Sequence, residues 1–284
     1  MRSLAYTIIV IRFPLRQEKK TAALTSAAIS EAYVLYRWNL TIPHLSGSQV
    51  RRAYLYLPRA YYEQPDKRFP VLYMFDGHNV FLDGDATYGT SWGMLDYMNQ
   101  ANTELIVAAV SCNTVGNGRL IEYSPYPHES KRLGFIPARG DETMAWLLDT
   151  FKPMIDENVR TLADREHTII AGSSMGGLMA LYAALNYNEH FSRAACLSPS
   201  LWTGPDAVRE MIAQADVSPD TMIYMDYGSR EMGNHGENAL ILADATWLLL
   251  SKGVDLTSRI VPGGMHCEAS WRAQIPVFMK CLGF

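Results

Sequence analysis

Ser174 stands in the run Gly172-Ser173-Ser174-Met175-Gly176-Gly177, between the β-branched stretch Thr168 to Ile170 and an apolar, helix-forming segment that continues to Leu185. The spacing fits Gly-x-Ser-x-Gly, in which a tight strand-to-helix turn lifts one hydroxyl above a sheet edge. Without Cβ atoms at 172 and 176 the strand and helix can close on each other, and the serine backbone can take a crowded conformation. A small-residue helix start capped by Ser173 or Ser174 has the same local sequence. The motif therefore depends on partners elsewhere in the chain.

A serine hydroxyl is a weak nucleophile and needs an imidazole to take its proton, a carboxylate to orient that imidazole, and N–H donors for the oxyanion. Three histidines follow Ser174: His190, His235 and His266. His190 lies in a helix-terminal turn and His235 in a polar loop, whereas His266 follows the last expected strand and opens the closing helix. That is the place of the base when the chain order is nucleophile, acid, histidine. Asp226, Glu231 and Glu237 fall near the turn after the strand TMIYMDY. Glu231, just past Gly228, is the expected acid, with Asp226, inside the strand, as the alternative. The expected oxyanion donors are the backbone amides of Met175 and of His78, the latter in the turn Asp76-Gly77-His78-Asn79.

These residues need a scaffold of a particular kind. Residues 32–42 and 49–57 read as an opening hairpin, and Phe69 to Phe75 and Glu104 to Ser111 as strands buried on both faces. Helical spacing is expected at Ser91 to Asn99, Glu142 to Arg160 and Met175 to Leu185. Beyond them strands (193–197, 221–227, 255–261) alternate with helices (207–214, 237–252, 268–281). The pattern predicts an α/β fold with a mostly parallel central sheet, an antiparallel N-terminal hairpin and helices on both faces. Cys112 to Asp141 reads as one long irregular loop bordering the site.

A chain of 284 residues with 48% hydrophobic and 19% charged residues suits one large domain. The division expected is an N-terminal extension over 1–29 and a catalytic domain over 30–284. A net charge of −4 offers no basic surface for nucleic acid. The apolar run Leu4 to Ile11 is too short to span a bilayer and lacks a clean cleavage site, so no membrane is expected and the cytoplasm is the expected location. The four cysteines form no C-x-x-C pair and are read as reduced. Asp76, Asp83 and Asp85 lack a calcium-loop order, so neither metal nor cofactor is expected.

VLYMFDGHNVF with TSWG, then GRLIEYSPY, then REHTIIAGSSMGGLMALYAALNYNEHFSRAACLSPSLW, YMDYGSRE and GGMHCEASWRAQIP occur in this order. Together they resemble the successive signatures of the esterase D-like, enterochelin esterase-like family of the α/β-hydrolase superfamily, from about Ser30 to the C-terminus. That family includes siderophore esterases, feruloyl and acetyl xylan esterases, S-formylglutathione hydrolases and mycolyltransferases. The resemblance implies a serine esterase with Ser174 as nucleophile, His266 as base, Glu231 as acid and the Met175 and His78 amides as oxyanion hole. The family varies in its acid, which makes Glu231 the least constrained of the three. Acyl transfer, thioester cleavage and non-catalytic binding on the same scaffold are the competing functions. Candidate walls of a pocket for a small-molecule ester are Trp92, Arg119, Tyr123, Trp202 and Trp271, with Glu122 and His128 nearby. A homo-oligomer is left open.

Overall fold

The computed structural model describes residues 7–11, 32–231 and 235–284. Nine strands form one sheet in the order β1-β2-β3-β5-β4-β8-β9-β10-β11. They are β1 (Thr7–Ile11), β2 (Ala32–Thr41), β3 (Val50–Tyr56), β4 (Val71–Met74), β5 (Ile106–Val110), β8 (Thr168–Ser173), β9 (Arg193–Leu197), β10 (Met222–Gly228) and β11 (Asp255–Val261). β2–β3 and β3–β5 are antiparallel and every other pairing is parallel. This is the α/β-hydrolase arrangement expected, with the β2–β3 hairpin toward one edge and β1 outside it.

Continuous apolar runs became the central strands because both faces of those strands are covered. All residues of β4, β5 and β8 are buried. Successive side chains feed opposite layers: Val71 and Tyr73 join the core under the helices 140–158, 175–186, 205–214 and 235–251, while Leu72 and Met74 join the core under 94–101 and 275–281. The helix Met175–Asn186 is buried from Met175 through Leu185, so the whole segment is fixed by packing.

Three expectations needed correction. Cys112 to Asp141 is not structureless: it holds the helix Gly118–Glu122 and an antiparallel ribbon, β6 (His128–Ser130) with β7 (Gly134–Ile136). Glu122, deep in this segment, pairs with Arg51 at 2.8 Å, and both side chains are buried, so a buried ion pair organises a stretch whose composition reads as loop. The closing helix is two pieces, Glu268–Arg272 and Ile275–Cys281, because Pro276 cannot continue the first one. The helix at 142–160 starts at Gly140 and carries a π turn at Leu147–Phe151. Pro153 has no N–H for the carbonyl four residues back, and the wider turn accommodates that gap. The described part of the N-terminal segment, β1, adds a parallel edge strand against β2. Among the described residues no helix is long and apolar enough to cross a membrane.

Candidate active site

Ser174 joins β8 to the helix Met175–Asn186 with φ 60° and ψ −124°, a region that side-chain-bearing residues rarely enter. Close packing enforces it. A Cβ at Gly172 would lie 2.4 Å from the Gly176 carbonyl oxygen, and one at Gly177 would lie 2.8 Å from that of Leu197. The Ser174 amide donates to Leu197 O at 3.0 Å, and Ser174 O accepts from the Ser200 amide at 3.0 Å. The turn is thereby clamped from the β9 side as well. Ser174 Oγ lies 3.4 Å from Ser200 Oγ. Among the described residues no hydrogen bond joins it to His266, a contact that commonly tightens only when substrate is bound.

Two loops bring the acid and the histidine together. Glu231 follows β10 and His266 follows β11, and Glu231 Oε2 lies 2.8 Å from His266 Nδ1. The other carboxylate oxygen accepts from Ser198 Oγ at 2.5 Å and from the Gly228 amide at 2.7 Å. Ser198 itself has φ 43° and accepts from Trp271 Nε1 at 2.9 Å. The Trp271 ring stands edge-on to His266 with centroids 5.1 Å apart. Every lone pair facing inward has a donor, so Glu231 is buried yet satisfied. The two loops are also bonded to each other, Arg230 N to Gly264 O at 2.8 Å and Ser229 N to Val261 O at 3.0 Å. A Cβ at Gly228 would meet the Gly264 carbonyl oxygen at 2.5 Å, so only glycine fits at this crossing.

Asp226 is equally buried and equally close in sequence, but it faces other groups. Oδ1 accepts from the Ser198 amide at 2.9 Å and Oδ2 from the Tyr224 hydroxyl at 2.8 Å. Burial pushes its carboxyl up to about 6.

On the other flank, Asp76, two residues past the end of β4, lies in the left-handed region, φ 55°. Both Asp76 oxygens accept from Arg119, each at 2.8 Å. Burial alone would raise this carboxyl, and the guanidinium more than reverses that, holding it below the usual range. Gly77 packs against the β5 backbone, where a Cβ would lie 2.8 Å from Val110 N. The next residue is His78. Neither its amide nor that of Met175 has a hydrogen-bond partner among the described residues, so both are free to donate. The His78 ring points away, with Nε2 3.0 Å from Thr87 Oγ1, and burial depresses its pKa. Asn79 Nδ2 donates to Glu268 Oε1 at 3.2 Å, joining this loop to the helix after His266. Asp76, His78 and Cys112 bring three ligand-type atoms within 4.8 Å of one another. With both Asp76 oxygens engaged by a guanidinium, the cluster is a poor cation site.

The expected pocket walls separate into three kinds. Trp92 and Tyr123 are buried, Trp92 against Trp271 and Phe278, Tyr123 against Phe75 with its hydroxyl on the Asp76 amide. Both are core, not wall. Trp271 is buried too, and touches the site through Ser198 and His266. Arg119 is held by Asp76 and stacks on Tyr123. His128 is buried beside Ser124, and His235 lies 3.2 Å from the Tyr227 hydroxyl through Nδ1. Trp202 alone of the five is open, 57% exposed. Ser198 and Ser200 were missed by sequence reasoning. The only trace of them is the small-residue run Leu197-Ser198-Pro199-Ser200 at the end of β9.

The chain matches the model of the family described as "Putative esterase" over residues 47–280. It is 27% identical over 191 residues to the uncharacterized protein YbbA of Bacillus subtilis (strain 168), covering 66% of this chain and 71% of that one. Its fold is similar to that of "Enterobactin and Salmochelin Hydrolase IroE" (TM-score 0.64, 21% identity, 89% of this chain and 96% of that one). It is also similar to the siderophore hydrolase EstA from Aspergillus nidulans (TM-score 0.64, 16% identity, 94% and 100% covered). A ferulic acid esterase matches with TM-score 0.63 and 17% identity, covering 87% of this chain and 97% of that one.

Proposed function

The chain belongs to the esterase family whose model it matches and is a carboxylic ester hydrolase; from that premise we propose that Ser174, Glu231 and His266 cleave a small phenolic, carbohydrate or siderophore-type ester through an acyl-enzyme. The observation that carries this reading is the backbone of Ser174, a non-glycine residue held at φ 60° between a buried strand and a buried helix. Strain of that kind persists where a function requires it.

The bonding of His266 gives the proton path. With Nδ1 donating to Glu231, the neutral ring leaves Nε2 as the acceptor for the Ser174 proton. Attack on the ester carbonyl forms a tetrahedral oxyanion, stabilised by the Met175 and His78 amides and by the N-terminal end of the nucleophile helix. His266 returns the proton to the departing alcohol, and water repeats the sequence to release the acid.

The substrate class rests on the structural relatives, two named for siderophore hydrolysis and one for ferulic acid esters. Support also comes from Trp202, which with Leu201 and Tyr227 borders a small apolar recess beside Asp226. The four cysteines are unpaired, which supports the cytoplasm as the location.

A fluorophosphonate probe tests the nucleophile: labelling of the wild type should vanish in Ser174→Ala, and labelling that persists rejects the assignment. Turnover in that variant should fall on the order of 10³-fold or more. A panel of feruloyl esters, acetylated sugars, siderophore lactones and nitrophenyl esters, ranked by kcat/KM, tests the class. Failure to hydrolyse any of them rejects it.

A further inference from the structure

Among the described residues, β11 closes the sheet with one side unpaired. Such an edge is ordinarily protected by brevity, proline, lysine or a bulge. Here seven residues, Asp255-Leu256-Thr257-Ser258-Arg259-Ile260-Val261, run unbroken and contain neither proline nor lysine. The Asp255 amide donates inward to Thr221 O. Alternation along the strand therefore turns the backbone groups of Leu256, Ser258 and Ile260 toward the open side.

The helix His235–Ser251 lies over this edge, and its orientation is fixed on both flanks. Asp244 bonds Arg209 of the helix Pro205–Gln214 on the inner side, and Thr246 Oγ1 meets Ser258 Oγ of β11 at 2.6 Å on the outer side. Leu242, Ala245 and Leu249 face the sheet. At about 100° per residue, Ala243 and Leu250 fall on the outer flank next to Thr246, while Trp247 and Leu240 stand on the solvent-facing back of the helix. Leu240, Trp247 and Leu250 are 72%, 67% and 55% exposed, and Ile260 on the strand is 44% exposed. Exposed apolar side chains thus meet the open edge at Leu250 on the helix and Ile260 on the strand, with Trp247 above them on the back of the helix.

We propose that this surface is the interface of a two-fold symmetric homodimer in which β11 pairs antiparallel with β11 of a second copy and the two helices pack beside it. The charges fit a self-complementary register. Centred on Thr257, the pairing sets Asp255 opposite Arg259 twice, at non-hydrogen-bonded positions where side chains approach most closely. Neither residue makes an ion pair within 4 Å among the described residues. The same register pairs Leu256 with Ser258 through outward backbone groups, joining the two sheets into one. A patch that is its own complement is what an isologous contact requires.

Sedimentation velocity and light scattering on the full-length protein at about 1 to 100 µM, with ester hydrolysis as the check of folding, decide it. The wild type should be dimeric. Leu250→Glu and Ile260→Lys should each weaken the dimer at least about thirtyfold, the effect of losing one central anchor. Asp255→Arg and Arg259→Asp should each shift it toward monomer, and Asp255→Arg/Arg259→Asp together should restore it. A wild type that is monomeric throughout, or a dimer unaffected by Leu250→Glu, overturns the proposal. So does a double charge swap no better than either single one, or a monomer that instead sediments with phosphatidylglycerol vesicles through Trp247.

Discussion

Two buried carboxylates flank Ser174 and are neutralised in opposite ways. Asp76, just past the end of β4, gives both oxygens to a permanent cation, Arg119. Glu231, after β10, receives a hydroxyl, a backbone N–H and an imidazole, with no arginine or lysine among these partners. A carboxylate bound to a guanidinium has nothing left to respond with, and serves to fix the loop that carries the His78 amide. In the proposed triad, one satisfied by neutral donors is placed to stabilise the cation that exists while His266 holds the serine proton. The strand-end geometry is similar on the two flanks; the identity of the counter-group separates scaffold from chemistry.

The contrast is broken or sharpened by a graded set of substitutions. His266→Ala should have the largest effect, lowering kcat/KM on the order of 10⁴-fold or more with little change in KM. Glu231→Ala should cost about 10³-fold, less than the histidine. Equal losses would make the acid indispensable, and no loss would remove the special status given to the Glu231 flank. Arg119→Met should act on stability instead, leaving Asp76 buried without its cation at a cost of about 3 kcal/mol in urea unfolding. The folded fraction should retain activity within about tenfold.

Asp226 sharpens the comparison, because it is buried near Glu231 with no cation or imidazole hydrogen-bonded to it, Arg259 acting only at longer range across the β10–β11 register. Its carboxyl, raised by burial to about 6, binds its proton more tightly in the folded than in the unfolded chain. This contribution to stability is complete below the unfolded value near 4 and disappears as pH rises through about 6. Asp226→Asn should therefore gain on the wild type across that window, by at most about 3 kcal/mol. Unfolding midpoints at pH 4 and pH 7 measure it, and a constant difference at the two values would refute the cause. The smallest effect is expected from Ser198→Ala, about tenfold in kcat/KM, since Glu231 would keep the Gly228 amide and His266.

Much of this was legible before any coordinates. The strand-turn-helix around Ser174, the order of the later strands and the placing of His266 follow from periodicity and from glycines at fixed offsets, which are local signals. The choice between Asp226 and Glu231 was readable only as a preference, because it depends on which carboxylate the His266 ring meets across two loops. Trp92, Tyr123 and Trp271 were misread for a different reason. An aromatic residue near a motif has the same sequence signature whether it lines a pocket or, like Trp92 against Phe278, fills the layer beneath it. Ser198 left only the faint trace of a small-residue run, since a left-handed serine whose hydroxyl bridges Trp271 to Glu231 is defined by nonlocal contacts.

The crossing of the loops after β10 and β11 has a consequence for anyone redesigning this enzyme. Gly228 lies against Gly264, and Arg230 and Ser229 donate to Gly264 and Val261. The proposed acid and base are therefore mounted on a single bracket, not on two independent arms. Lengthening or exchanging one loop alone would pull the carboxylate and the imidazole out of register, whereas residues 228–231 and 261–266 transplanted as one cassette would carry their 2.8 Å contact with them.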